Sequence, residues 1–151
     1  MSTPSDLPYV EQVDTSFLET LLGYNTRRSA LVLIEPFLQR MAVYELRPVD
    51  FSVLSLIQHN PGITSRQLCN TLGILAPNLV GMIRTLEKRG LISRKPHPHD
   101  GRANGLHATA AGTKLMCAAE KTAAELDSEV ATCLSRSERE TLLRLLKKIY
   151  K

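Results

Sequence analysis

The sequence has no tryptophan, and aromatic residues fill only 5% of its 151 positions. A core without large rings must come from aliphatic side chains. Leu and Ala, both strong helix formers, carry that content here. Long apolar runs are missing as well. No stretch reaches the ~18 residues a spanning helix needs, so we expect no membrane partner. The opening "MSTPSDLPYV" lacks a basic start and an apolar run, so we expect no secretory signal. Cys69, Cys117 and Cys133 are widely spaced and form no CxxC pair. That argues against a disulfide framework or a structural zinc site and points to reduced thiols in a cytoplasm. No repeat, low-complexity tract or long linker divides the chain.

What is present is ordinary in bulk and uneven in place. Apolar residues make up 43% and charged residues 23%, the balance of a globular chain. The net charge is +4. The segment from Arg84 to Arg102 holds Arg84, Lys88, Arg89, Arg94, Lys95 and Arg102 against Glu87 and Asp100, so it accounts for the whole excess. A local basic excess predicts a polyanion as partner.

Apolar spacing predicts a first helix from about Phe17 to Tyr44, kinked or broken near Ile34–Glu35 by Pro36. The arm before it, with Pro4 and Pro8, reads as loose. "RPVDFSVLSLIQHN" reads as a second helix with Pro48 in its first turn and Phe51, Leu54 and Ile57 on one face. "NPGIT" is a turn. Thr64 or Ser65 then caps a short helix, "SRQLCNTL", that stops at Gly73. A further helix runs from Ala76–Pro77 to Gly90, with Leu79, Ile83 and Leu86 as its buried stripe. "LISRK" and "GLHAT" read as strands of a hairpin with a long tip. A long helix from about Ala110 to Leu134 follows. The last helix opens at a capping box formed by Ser135 and Glu138.

A short helix, a tight turn, a second helix and a hairpin form the winged helix-turn-helix order. The expected fold is therefore mainly α with a small β-hairpin wing. In such a unit the second helix enters the major groove. With Leu79, Ile83 and Leu86 inward, Ala76, Pro77, Asn78, Gly81 and Arg84 face outward. Asn78 suits adenine, and Arg84 suits guanine or phosphate. Arg94, Lys95 and Arg102 belong to the wing, where an arginine can enter the minor groove. Asp100 cannot approach phosphate as a bare anion, so it should hold a nearby arginine or the loop backbone. Leu126, Val130 and Leu134, with Leu142, Leu145, Leu146 and Ile149, offer more apolar surface than a small winged core covers, which predicts a homodimer.

The landmarks "LRPVDFSVL", "PGIT", "QLCNTLGI", "LVGMIRTLEKRGLISR", "HDGRA" and "LHATAAG" occur in one order. In this the chain resembles the multiple antibiotic resistance regulator (MarR) family of bacterial transcription factors. The resemblance covers roughly residues 46–113 and implies a homodimeric repressor on a pseudo-palindromic operator, with no catalytic residues and no cofactor. It implies an N-terminal arm and first helix over 1–45, a DNA-binding core over 46–112 and dimerisation helices over 113–151. It adds Thr64 and Ser65 as backbone contacts, and supports Asn78, Arg84 and Arg102, the last held by Asp100. It further implies release by a small anionic ligand, an aromatic acid or acyl-thioester. Matching positions for that ligand are Tyr24, Arg27 and Arg28 on the first helix, with Phe51, Leu54 and His59 on the second. One departure stands out: Leu75 replaces the capping Ser common before the recognition helix, and Ala76 and Gly81 replace longer side chains.

Other readings compete. His97, His99, Asp100 and His107 look like metal ligands, which would suit a metal-dependent enzyme or a metal-responsive regulator. Pro96 and Pro98 alternate with the first two histidines, however, and no helix supplies a base. The resemblance also allows redox control, which in that family uses a reactive cysteine on the first helix paired with tyrosines; this first helix has Tyr24 and no cysteine. Cys69 reads as packed within the short helix, and Cys117 and Cys133 read as small buried residues, with approach to a partner subunit as the alternative. An adaptor that uses a winged fold for protein contacts would leave the basic wing unexplained.

Overall fold

A computed structural model of the chain describes residues 9–151, and of Arg102 the backbone alone. Two compact units are present, one ending at Leu33 and the other spanning Ile34–Lys151. In the first, α1 (Ser16–Glu19) is separated from α2 (Leu22–Met41) by Thr20 and Leu21. The Asn25 side chain donates to the carbonyls of Glu19 and Leu21, both at 2.8 Å, and so closes this corner. The expected single helix from Phe17 is thus broken early. It is not broken at Pro36, which lies inside α2. One missing N–H leaves one carbonyl without its helical donor, and the remaining ladder continues. The loose arm expected around Pro4 and Pro8 lies outside the described residues.

The second unit contains the winged core. After a 3₁₀ turn (Ala42–Tyr44) come α3 (Pro48–His59), α4 (Ser65–Leu72) and α5 (Ala76–Lys88). Next are β1 (Ile92–His97), β2 (Asp100–Ala108), α6 (Ala110–Val130) and α7 (Arg136–Tyr150). Thr64 caps α4: its hydroxyl accepts the Gln67 N–H at 3.3 Å, and the Gln67 side chain accepts the Thr64 N–H at 2.9 Å. Gly73 ends α4 at φ 63°, a left-handed conformation that only glycine adopts freely, and this sets the turn into α5. The core gathers Met41, Val53, Leu54, Ile57, Leu68, Leu79, Ile83, Leu86, Leu106 and Met116, all aliphatic or thioether. At its edge Phe37 meets Phe51 edge to face, with centroids 5.4 Å apart.

β1 and β2 pair antiparallel from Ile92↔Ala108 to Pro96↔Asn104, and then His97 pairs with Asp100. Ile63 bridges to Leu106 on the other side of β2, which makes a minimal third strand. The long hairpin tip read from the sequence is therefore short, because the strands run through Pro96 and Gly101. The slack is taken up as an irregularity in register between Pro96 and His97. α6 also stops earlier than expected, at Val130, leaving Leu134 and Cys133 in the connection to α7. Ser135 and Glu138 form the expected capping box.

Candidate nucleic-acid interface

α5 divides as its periodicity requires. Leu79, Ile83 and Leu86 are buried, and Ala76, Pro77, Asn78, Gly81 and Arg84 are exposed. Its C-terminal end is held from behind. Arg89 donates to the carbonyls of Tyr44 at 2.7 Å and Glu45 at 2.9 Å. The Tyr44 hydroxyl in turn meets the Thr122 hydroxyl at 2.9 Å on α6. Glu45 adopts φ 51°, an uncommon conformation for a side-chain-bearing residue, and Arg89 closes over it. In the sequence Arg89 stands out only as part of the basic excess. No local signal could have found its role, because its partners lie 44 and 45 positions upstream.

The wing is tied to the same helix. Arg94 on β1 donates through Nε and Nη2 to the two carboxylate oxygens of Glu87, at 2.8 and 2.9 Å. This fork holds the Glu87 carboxyl below its ordinary value of 4.5, chiefly by hydrogen bonding, and raises the Arg94 guanidinium. Arg84, Lys88 and Lys95 are exposed and have no ion-pair partner among the described residues. The basic excess of the sequence therefore splits by task. Arg89 and Arg94 brace the fold, while Arg84, Lys88 and Lys95 project charge outward.

Thr64, Ser65, Arg66, Arg94, Asp100 and Asn104 border one shallow depression between the start of α4 and the wing. The side chain of Arg102 lies outside the described residues. His97 and His99 stack edge to face with centroids 6.2 Å apart. His107 sits farther down β2, opposite Ser93. Among the described residues no group of three or more His, Cys, Asp or Glu side chains is arranged to hold a metal ion.

The positions matched to an effector are placed as follows. Tyr24 is half-buried, and Arg27 and Arg28 are exposed on α2. Phe51 is half-buried, and Leu54 is wholly inside the core. His59 Nε2 lies 2.8 Å from a Glu120 carboxylate oxygen, which also accepts from the Ser55 hydroxyl at 2.7 Å. The cysteines depart from expectation in part. Cys69 is half-buried against the core, but Cys117 and Cys133 are exposed, on the outward side of α6 and in the connection after it. Leu126, assigned from sequence to a dimer surface, is buried within its own chain.

A capped short helix, a glycine-set turn, a helix that turns small residues and cations outward, and a braced basic hairpin define a winged helix-turn-helix regulator. The sequence profile of the MarR family matches residues 44–103. A transcriptional regulatory protein for the hcr operon of Thauera aromatica is 30% identical over 131 residues, covering 86% of this chain and 79% of that protein. The transcriptional regulator HosA of Escherichia coli O111:H- is 30% identical over 105 residues, 70% of this chain and 78% of HosA. A solved structure of the transcriptional repressor CouR bound to a 23-mer DNA duplex superposes with TM-score 0.87 at 37% identity, covering 93% of this chain and 100% of that one. CouR bound to p-coumaroyl-CoA gives 0.82 at 35% identity, with 93% and 99% covered. The chain belongs to the MarR family of transcriptional regulators. Among the described residues no helix is long and apolar enough to cross a membrane.

Proposed function

We propose that the chain binds a pseudo-palindromic operator as a homodimer, represses transcription there, and is released by a small anionic ligand, an aromatic acid or its acyl-thioester. The outward face of α5, with Asn78 and Arg84 exposed over a buried aliphatic stripe, carries the DNA half of this reading. In it, Asn78 pairs with adenine and Arg84 with guanine or phosphate in the major groove. Thr64 and Ser65 meet the phosphate backbone, which fixes register. Lys95 and Arg102 serve the wing in the minor groove, with Asp100 orienting it. Arg94 keeps its Glu87 partner and steadies β1. That a CouR structure carries a DNA duplex supports this reading.

Dimerisation explains the exposed leucines of α7. Leu142, Leu145 and Ile149 lie on a helix that buries none of its residues in this chain, and a second copy is the covering that a symmetric regulator supplies. For the ligand, Arg27 and Arg28 are adjacent exposed cations with no ion-pair partner among the described residues, suited to a carboxylate or phosphate. The p-coumaroyl-CoA in a CouR structure supports an aromatic acyl-thioester as the class.

The test is binding of the full chain to a duplex selected from a random pool. Asn78→Ala relaxes preference at one base position, whereas Arg102→Ala weakens all duplexes alike. Equal losses at every position in both variants would remove α5 as the reading element. With p-coumaroyl-CoA as probe, the parent leaves the duplex and the Arg27→Ala/Arg28→Ala variant stays bound. Release of both at the same concentration would remove the arginine pair.

A further inference from the structure

The first turn of α5 carries residues that the helix itself does not ask for. Leu75 occupies the N-cap, where a Ser, Thr, Asp or Asn oxygen would satisfy a free backbone N–H, and Leu75 makes no such bond. Nor does it pack inward, since it is 72% exposed. Five residues on, Val80 is 45% exposed, although a β-branched residue on an open helix surface loses rotamer freedom and gains no burial. Between them Ala76 and Pro77 are exposed as well. Ala76, Val80, Arg84 and Lys88 follow one another at four-residue spacing and so line one side of α5. That side is apolar in its first two turns and cationic in its last two.

We infer that this apolar tip reads the 5-methyl groups of thymines in the major groove, with Leu75 and Val80 as the side chains that touch them. The inference rests on the DNA-binding reading above and specifies what α5 recognises. Three of the four bases offer only polar edges and ring carbon in the major groove, whereas thymine adds an exposed methyl group. Arg84 and Lys88, continuous with the patch, select a polyanion as its occupant over an apolar protein surface. Gly81, exposed one turn beyond Pro77, has no side chain to hold the helix away from the base edges.

The experiment uses the full chain and a duplex it has selected from a random pool. Each thymine is replaced in turn by uracil, which keeps pairing and removes only the methyl group. At one or more thymines in each half-site, binding weakens about fourfold, the value of one buried methyl-sized group. In the Leu75→Ala/Val80→Ala variant that sensitivity disappears. Both positions are exposed, so its thermal midpoint stays near the parent's. Uracil duplexes that all bind like the parent duplex, or a sensitivity that persists in the variant, would overturn the inference and leave DNA binding standing. If no duplex is bound at all, the DNA-binding reading fails and takes this inference with it.

Discussion

Gly112 has no room for a methyl group. A Cβ built there would stand 1.9 Å from the Leu91 carbonyl oxygen, far inside any real contact. Backbone meets backbone at this point, since the Leu91 carbonyl also accepts the Thr109 N–H at 3.0 Å. Neither side can swing away as a flexible side chain would. Gly112→Ala should therefore cost at least about 2 kcal/mol, read as a lower urea midpoint at unchanged slope. A midpoint equal to the parent's would mean that this junction of α6 with the turn before β1 yields easily. Thr109 contributes to the same joint from the other side. Its hydroxyl donates to the Gly90 carbonyl at 2.6 Å and accepts the Gly112 N–H at 3.0 Å.

The wing and α5 are joined by Glu87 and Arg94, and that pair gives the joint a pH dependence. The folded state lowers the Glu87 value, so the stabilisation is fully present above the unfolded value of 4.5 and fades as pH falls through the lower folded one. The two side chains are 30% and 41% exposed, so solvent screening keeps the contribution below about 1 kcal/mol. Comparing Glu87→Gln with the parent by denaturation at pH 7 and pH 3 should show a small deficit that closes at the acidic end. A gap that persists at pH 3 would place the effect in packing. Much at this scale was legible in the sequence. The buried stripe of α5, the Thr64 cap and the stop at Gly73 each declare themselves within a few residues. The hairpin was harder to read. Pro96, Pro98 and Gly101 look like loop, yet Pro96 needs no donor on the side where it pairs, and the register irregularity absorbs the extra residues. The bracing roles of Arg89 and Arg94 were not legible, because composition shows a charge and only the fold shows its partner.

Across the whole molecule, the winged core spends its aliphatic residues inward while α7 leaves Leu142, Leu145 and Ile149 at the surface. A chain ending at Leu134 should therefore run as monomer or aggregate in sedimentation, and a stable DNA-binding dimer of that length would rule out α7 as the dimerisation element. The outward charge makes a second demand. Arg84, Lys88 and Lys95 have no ion-pair partner among the described residues, and a polyanion that engages them must release its own counterions. The most direct measurement is the affinity of the full chain for its selected duplex across a series of salt concentrations, for the parent and for Arg84→Ala. The reading of α5 and the wing as a DNA interface predicts a steep linear fall of log affinity with log salt. If Arg84 meets phosphate, the variant slope is shallower by about 1; if it meets guanine, the variant loses preference at that base position. An affinity that does not change with salt, or a variant that matches the parent in both slope and preference, would contradict it.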